Sequence, residues 1–332
     1  MKDKEGLQMT LRFLGIAMIA LAASAPGFAQ NSAPIVPPAS PSTAIDQTTQ
    51  TEDVGFRRDD GDRMTVPVLL SGTGPYRFLI DTGANRTAIS TELASRMNYA
   101  QRQPASLHSI AGESRITTAL VPSLQLTRKE VRNIHAPLLN GVYMGADGII
   151  GTDSLRSQRV LFDFVANTLS IVPSAVPDFR AEPGTIVVQG TRRNGRLVVT
   201  DAIANGNKVI VVIDTGSQVT IGNEALRRVL MRDRMLSIPE RVVIESVTGE
   251  KVTGDYTFVR ELQIGGVGLK NLAVVFVDAH TFKQLKLDKK PALLLGMNAM
   301  RAFKKVSIDF ASRKLRVVIP EHSALDMRLA SN

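Results

Sequence analysis

The sequence predicts an all-β fold with minor helix, built as two tandem β-lobes related by pseudo-two-fold symmetry. Three observations carry that prediction. The first is an internal duplication. Phe78-Leu79-Ile80-Asp81-Thr82-Gly83-Ala84 is echoed by Val211-Val212-Ile213-Asp214-Thr215-Gly216-Ser217, 133 positions further on. Ser109-Ile110-Ala111-Gly112-Glu113 and Ser246-Val247-Thr248-Gly249-Glu250 are 137 apart. Leu124-Gln125-Leu126 matches Leu262-Gln263-Ile264, and Asn133 matches Asn271, both at 138. Ile149-Ile150-Gly151 and Leu294-Leu295-Gly296 stand 145 apart, and Phe162-Asp163-Phe164 and Ile308-Asp309-Phe310 stand 146 apart. The offset only grows, as duplication followed by loop insertion requires. The second observation is short apolar runs punctuated by Gly, Pro and Asn, the pattern of strands and turns. The third is composition. With 44% hydrophobic and 21% charged residues in 332, the chain is that of an ordinary globular protein.

Taken in order, the chain opens with an address. Lys2, Lys4 and Arg12 precede the apolar run Phe13 to Ala23, and Gly27-Phe28-Ala29 offers small residues at a cleavage site. This is the order of a secretory signal peptide, over residues 1–29. Its run is short for a membrane span. The expectation is an exported chain, periplasmic or extracellular, beginning near Gln30, with no stable membrane insertion once the leader is removed. Residues 30–55 are rich in Pro, Ser, Thr and Gln and read as a disordered linker. The first lobe is placed at 56–174 and the second at 184–320, divided by the proline-containing stretch 172–184. Residues 321–332 form a tail.

Each lobe begins with a strand, Met64–Leu70 or Leu197–Ala204, followed by a turn. Ser71-Gly72-Thr73-Gly74-Pro75 makes one turn and Asn205-Gly206 the other, the latter a strong hairpin signal. A second strand climbs into each Asp-Thr-Gly. Short helices are expected over Thr91–Met97 and Glu224–Met231, with Ser90 and Asn223 as N-caps. Further strands lead to an apolar-apolar-Gly, a short helix (153–159 and 298–304) and a closing strand. Lys283, Lys286, Lys289 and Lys290 sit in an extra loop of the second lobe and read as a solvated face.

A lone Asp-Thr-Gly is weak: about 0.03–0.05 copies arise by chance in this length, and a turn explains one. Two at equivalent positions differ, because each ends a buried strand. A buried carboxylate is costly unless paired or hydrogen-bonded. Repeating that cost implies that Asp81 and Asp214 meet across the pseudo-axis. Facing carboxylates share one proton. One member then activates a water and the other donates to the carbonyl under attack, which hydrolyses an amide by general acid–base catalysis. A Thr hydroxyl beside each Asp can brace the two loops, and Gly lets the backbone approach the carboxylates.

On these residues the chain resembles the retropepsin-like aspartic proteases, with two lobes fused in one polypeptide, over residues 60–318. The shared elements are both Asp-Thr-Gly motifs, Thr87 and Thr220 six positions after each Asp, and the late glycines Gly151 and Gly296. The resemblance implies an aspartic endopeptidase with Asp81 and Asp214 as catalytic residues. Thr82, Gly83, Ala84, Thr215, Gly216 and Ser217 would support the catalytic loops. Ile110, Gly112, Val247 and Gly249 would lie in flaps that close over substrate. Neither hairpin carries the flap Tyr of pepsin-like enzymes, and the copies are compact. Retroviral members carry Asp four positions after the catalytic Asp, paired with an Arg after the late Gly. Here those positions are Asn85 and Gln218, with Thr152 and Met297, so the ion pair is absent.

Ala84 stands where the second lobe has Ser217. A hydroxyl there would favour a charged neighbour, so Asp214 is expected to be the more readily ionised member and Asp81 the proton carrier. Other chemistries lack their residues. The chain has no cysteine, hence no disulfide or thiolate site. His108, His135, His280 and His322 are scattered, with no metal-binding spacing, and read as structural or surface residues; only His108 lies near a flap. Asp147, Asp153, Asp163 and Asp309 read as turn or cap residues. No metal or cofactor is expected. Net charge is +9 without a long basic block, which reads as a solvated surface rather than nucleic-acid binding. The expected partner is a peptide or protein substrate of a two-lobed monomer. The rival reading is a non-catalytic peptide-binding module on the same fold.

Overall fold

A computed structural model describes residues 64–320, except 100–101, 128, 177–181, 234–235 and 237. It also describes short strands at Thr10–Leu11, Met18–Ala20, Asp53–Gly55 and Arg57–Arg58. The expected leader (1–29), linker (30–55) and tail (321–332) otherwise lie outside the described residues. The linker reading needs correction at its end. Asp53–Gly55 pairs antiparallel with Thr168–Ser170, because the edge of that sheet leaves backbone groups to be paired.

The two sheets that carry the Asp-Thr-Gly loops have the same strand order. In the first lobe the order is Met18–Ala20, Arg102–His108, Glu113–Leu126, Lys129–Leu139, Ala88–Ser90, Gly148–Ile150, Thr73–Ile80, Met64–Leu70, Arg57–Arg58. In the second it is Thr10–Leu11, Glu240–Glu245, Lys251–Ile264, Val267–Phe276, Thr220–Gly222, Ala292–Leu295, Asn207–Ile213, Arg196–Ala204, Thr191–Arg193. Even the local irregularities repeat. Ser71 and Gly72 take φ of 47° and 77°, and Asn205 and Gly206 take 45° and 80°, the left-handed pair that a tight two-residue hairpin needs. Asn133 and Asn271 sit at φ 53° and 52°, where Asn is tolerated better than most side chains.

The helices are short. Thr91–Arg96 starts at Ser90, whose side chain accepts from Leu93 N–H, and Glu224–Arg232 starts at Asn223, which accepts from Leu226 N–H. Both caps were legible in the sequence. The late helices differ from expectation: they are single turns at Thr152–Leu155 and Met297–Met300. The first closing strand begins at Gln158, inside the expected helix, and the second begins at Lys305, after a turn over 301–304. No described helix is long and apolar enough to cross a membrane.

A third sheet joins the lobes. Its order is Thr185–Gln189, Lys314–Val318, Lys305–Asp309, Gln158–Asp163, Thr168–Pro173, Asp53–Gly55. At its centre Leu161 lies directly opposite Ser307. Those two are equivalent residues at the 146-position offset, so the pseudo-two-fold axis runs through this pair. Phe162, Leu169, Val306, Ile308 and Leu315 from both halves enter one apolar core. The domain division at 174–184 therefore marks the repeat but does not separate two independent cores.

Candidate active site

Each Asp-Thr-Gly loop leaves the end of a buried strand and is caught from below. Asp81 N–H donates to Ile150 O and Asp214 N–H to Leu295 O, both at 3.0 Å. After the late glycines the chain crosses back: Thr152 N–H donates to Ala84 O at 2.9 Å, and Met297 N–H to Ser217 O at 2.8 Å. The crossing is so close that a Cβ on Gly151 would overlap the backbone of Arg86, and one on Gly296 the backbone of Val219. The late Gly is thus required by contact. Thr87 and Thr220 lock the crossing. Thr87 Oγ1 accepts from Gly151 N–H at 3.1 Å and donates to Asp153 at 2.8 Å. Thr220 Oγ1 accepts from Gly296 N–H at 3.2 Å and donates to Asn298 at 2.9 Å.

The two loops grip each other through four hydrogen bonds. Thr82 N–H donates to Thr215 Oγ1 and Thr215 N–H to Thr82 Oγ1, each at 3.0 Å. Thr82 Oγ1 donates to Ile213 O at 2.9 Å, and Thr215 Oγ1 to Ile80 O at 2.7 Å. Both N–H groups and both hydroxyls of the two threonines are used, at a buried interface between the lobes. This places the carboxylates together. A Cβ on Gly83 would overlap the Asp214 carboxylate, and one on Gly216 the Asp81 carboxylate. Each glycine thus floors the opposite lobe's aspartate.

The carboxylates are not equivalent. Asp81 Oδ1 accepts from Gly83 N–H at 2.7 Å and Ala84 N–H at 2.9 Å. Among the described residues, Asp214 Oδ1 accepts from Gly216 N–H at 3.1 Å, and its Oδ2 is buried with no hydrogen-bond partner. Burial raises both above the ordinary Asp range, Asp81 against the pull of its backbone donors, Asp214 further with the Asp81 charge added. Of the two, Asp214 is held further from ionisation. This reverses the expectation from Ser217. The Ser217 hydroxyl donates to Val219 O at 2.7 Å, closing its own turn, and so does nothing for the Asp214 charge.

The flaps are shut, and each is plugged into the opposite lobe. Ile110 lies in the apolar cluster of the second lobe with Phe282, Leu285 and Leu287. Val247 lies in that of the first with Leu79, Ala84, Met144 and Ile149. Gly112 and Gly249 turn the tips at φ 157° and 83°. Gly249 faces the ring of Tyr143, which leaves no room for a Cβ. So an aromatic residue does reach a flap, but from the other lobe. The extra loop of the second lobe is more than a solvated face. Its lysines are exposed while Phe282, Leu285 and Leu287 between them are buried.

That loop also corrects the reading of the histidines. His280 N–H donates to Ile110 O at 2.9 Å, and His108 Nδ1 lies 3.0 Å from His280 Nε2. The rings stack with centroids 5.1 Å apart. Two residues 172 apart in sequence thus latch a flap, and no spacing rule could have paired them. Arg196 was missed as well. It is fully buried, and its Nε donates to Gly83 O at 2.6 Å. A signal did exist: Arg63 precedes Asp81 and Arg196 precedes Asp214 by the same 18 positions. Among the described residues no cluster of three or more metal-ligating side chains occurs. Asp153 braces Thr87, and Asp163 and Asp309 accept turn N–H groups. Asp147 accepts from Arg77 N–H and pairs with Arg96.

Comparison with known families decides what this geometry belongs to. The family described as gag-polyprotein putative aspartyl protease matches residues 66–157, and the aspartyl protease family matches residues 200–299. Each match holds one Asp-Thr-Gly and one late Gly, and together they span more than half of the chain. The chain belongs to the retropepsin-like aspartic proteases. It carries two such lobes in tandem, and both family matches fall within the duplication seen in the sequence. No curated protein matches the chain.

Proposed function

We propose that this retropepsin-like protein is an aspartic endopeptidase. The observation that carries the reading is the opposed, buried, inequivalent pair of carboxylates. Asp81, held by two backbone N–H groups, takes a proton from a water. The water oxygen attacks the peptide carbonyl carbon while Asp214 gives its proton to the carbonyl oxygen. The resulting gem-diol collapses: Asp81 passes its proton to the amide nitrogen, the C–N bond breaks, and one diol hydroxyl returns a proton to Asp214. Water is consumed, acid and amine are released, and the pair ends as it began.

The substrate is an extended peptide between the lobes, beneath Ile110, Gly112, Val247 and Gly249, bound by strand-like hydrogen bonds. The family favours a peptide substrate, and the leader motif favours an exported enzyme, periplasmic or secreted. The rival is a peptide-binding module without catalysis. Intact machinery in both lobes speaks for the enzyme: both aspartates, both loop threonines and both floor glycines are present. The test is a diverse peptide mixture at about pH 4 to 7 with mass-spectrometric readout. Cleavage by the parent that both Asp81→Asn and Asp214→Asn abolish is expected. A folded parent that binds peptides and cuts none would establish the binding module instead.

A further inference from the structure

We propose that Arg196 is a positioning residue that fixes the charge state of the Asp81–Asp214 pair, keeping it singly ionised at acidic pH. The proposal rests on the reading of that pair as catalytic. Arg196 is the largest fully buried side chain among the described residues. Its Nε donates to Gly83 O at 2.6 Å, and Gly83 N–H donates to Asp81 Oδ1 at 2.7 Å. One residue therefore separates the guanidinium from the carboxylate. The turn before Arg196 lies against the first lobe, where a Cβ on Gly195 would touch Thr152 and Asn85. Those are the positions at which retroviral relatives carry their ion pair. Here neither is charged, so the cation has no carboxylate of its own.

The rest of the guanidinium confirms how unusual the placement is. Nη1 and Nη2 are buried and have no hydrogen-bond partner. A structural arginine would spread its five donors over several acceptors. A buried charge without them destabilises the fold. Asp81 and Asp214 are the anions that act on Arg196, and Arg196 is the cation that acts on both of them. Burial, partly offset by the charges of Asp214 and Asp81, pulls its pKa down to about 10, so it stays charged from acidic to neutral pH.

The charge count follows. With one proton on the pair, the site holds one cation and one anion and is neutral. A second proton leaves a buried net positive charge; loss of the shared proton leaves a buried net negative one. Both are costly in a low-dielectric interior. The singly ionised pair is the state that acid–base hydrolysis uses. Without Arg196 that state would be a lone buried anion, and both proton affinities would rise. The acid limb of activity would then move to higher pH.

A purely structural role, holding the Gly83 carbonyl, predicts something different, and two variants separate the roles. Arg196→Gln can still donate to Gly83 O but has no charge. Arg196→Lys keeps the charge without the fork. On the full chain, the acid limb of kcat/KM should move up by about one pH unit or more in Arg196→Gln, and should stay near the parent in Arg196→Lys. An unmoved limb in Arg196→Gln, or equal movement in both, overturns the proposal. If Arg196→Gln does not fold, citrulline in place of Arg196, which is neutral and keeps the Nε–H donor, makes the same comparison. Titration of the Asp81 and Asp214 carboxyl carbons by NMR gives the same shift without any substrate. A shifted titration in a protein that cleaves no peptide would sink the enzyme reading and leave Arg196 in its role. An unshifted titration in an active enzyme would sink Arg196 alone.

Discussion

At the scale of the residue, one proton decides how the two aspartates behave, and it leaves a mark on stability as well as on chemistry. The folded pKa of Asp214 lies well above its unfolded value of 3.8 because burial and the Asp81 charge disfavour ionisation. Between those two values the folded state binds more protons than the unfolded one, so stability falls as pH rises through that window. Asp214→Asn removes the group that pays this cost. It should therefore unfold at a higher temperature than the parent at neutral pH, with the difference shrinking as pH falls towards about 4. Thermal melts of the two proteins across that range check the prediction, and a constant gap would contradict it. The floor glycines offer a second test. A methyl group at Gly83 or Gly216 would overlap the opposite carboxylate, so Gly83→Ala should lose activity and about 1–3 kcal/mol of stability, read by denaturant titration. Much at this scale was legible: the Asp, Thr and Gly of each loop stand where the repeat put them. What the sequence hid was the direction of a hydroxyl. Ser217 could point at Asp214 or close its own turn, and only packing decides between them.

At the scale of the element, the flaps show what periodicity can and cannot reveal. The repeat marked Ile110 and Val247 as equivalent, but not that each would cross into the other lobe's core. That contact needs the fold, because its partners come from distant loops such as the one carrying Phe282 and Leu287. The late helices were overestimated as well: Leu155, Met297, Ala299 and Met300 are already buried by single turns. The two flap latches also differ, since only the first is tied by a histidine pair. His280 is held below its ordinary pKa by burial first, then by His108 and Lys283, against the opposing charges of Glu113 and Asp278. A depressed His supports the closed contact fully above its unfolded pKa of about 6.5 and loses that support as pH falls through its folded value. Amide hydrogen exchange at residues 109–113 should therefore accelerate between about pH 7 and 5 more than at 246–250, with intrinsic exchange corrected. In His280→Asn the two flaps should respond alike. Ile110→Ala should raise exchange at 109–113 at every pH, because it removes the plug itself.

At the scale of the whole molecule, the shared sheet makes one folding unit of two lobes. The sequence revealed the duplication and its boundary, and both lobes were found with matching strand order. It did not reveal that the closing strands of both copies would pair with each other, since Phe162-Asp163-Phe164 and Ile308-Asp309-Phe310 read as equivalent strands but not as partners. Their antiparallel pairing places Val160 opposite Ile308 and Phe162 opposite Val306, and these side chains share one core. The interlocked threonines add a second buried junction far along the chain from the first. Splitting the protein between residues 174 and 184 would expose the apolar face of Gln158–Asp163, unpair its edge, and strand Thr82 without its acceptor at Ile213. The expected outcome is that residues 56–174 alone do not form a stable monomer. At high concentration they should pair through the Gln158–Asp163 edge of a second copy, because the axis at Leu161 and Ser307 relates equivalent residues and a like strand fits there. The intact protein should melt in one transition, with calorimetric and van't Hoff enthalpies equal. Sedimentation of the half-chain and calorimetry of the whole decide it together: a stable monomeric half, or two separate transitions, would show that the lobes fold independently and that the shared sheet is a late docking surface rather than part of the core.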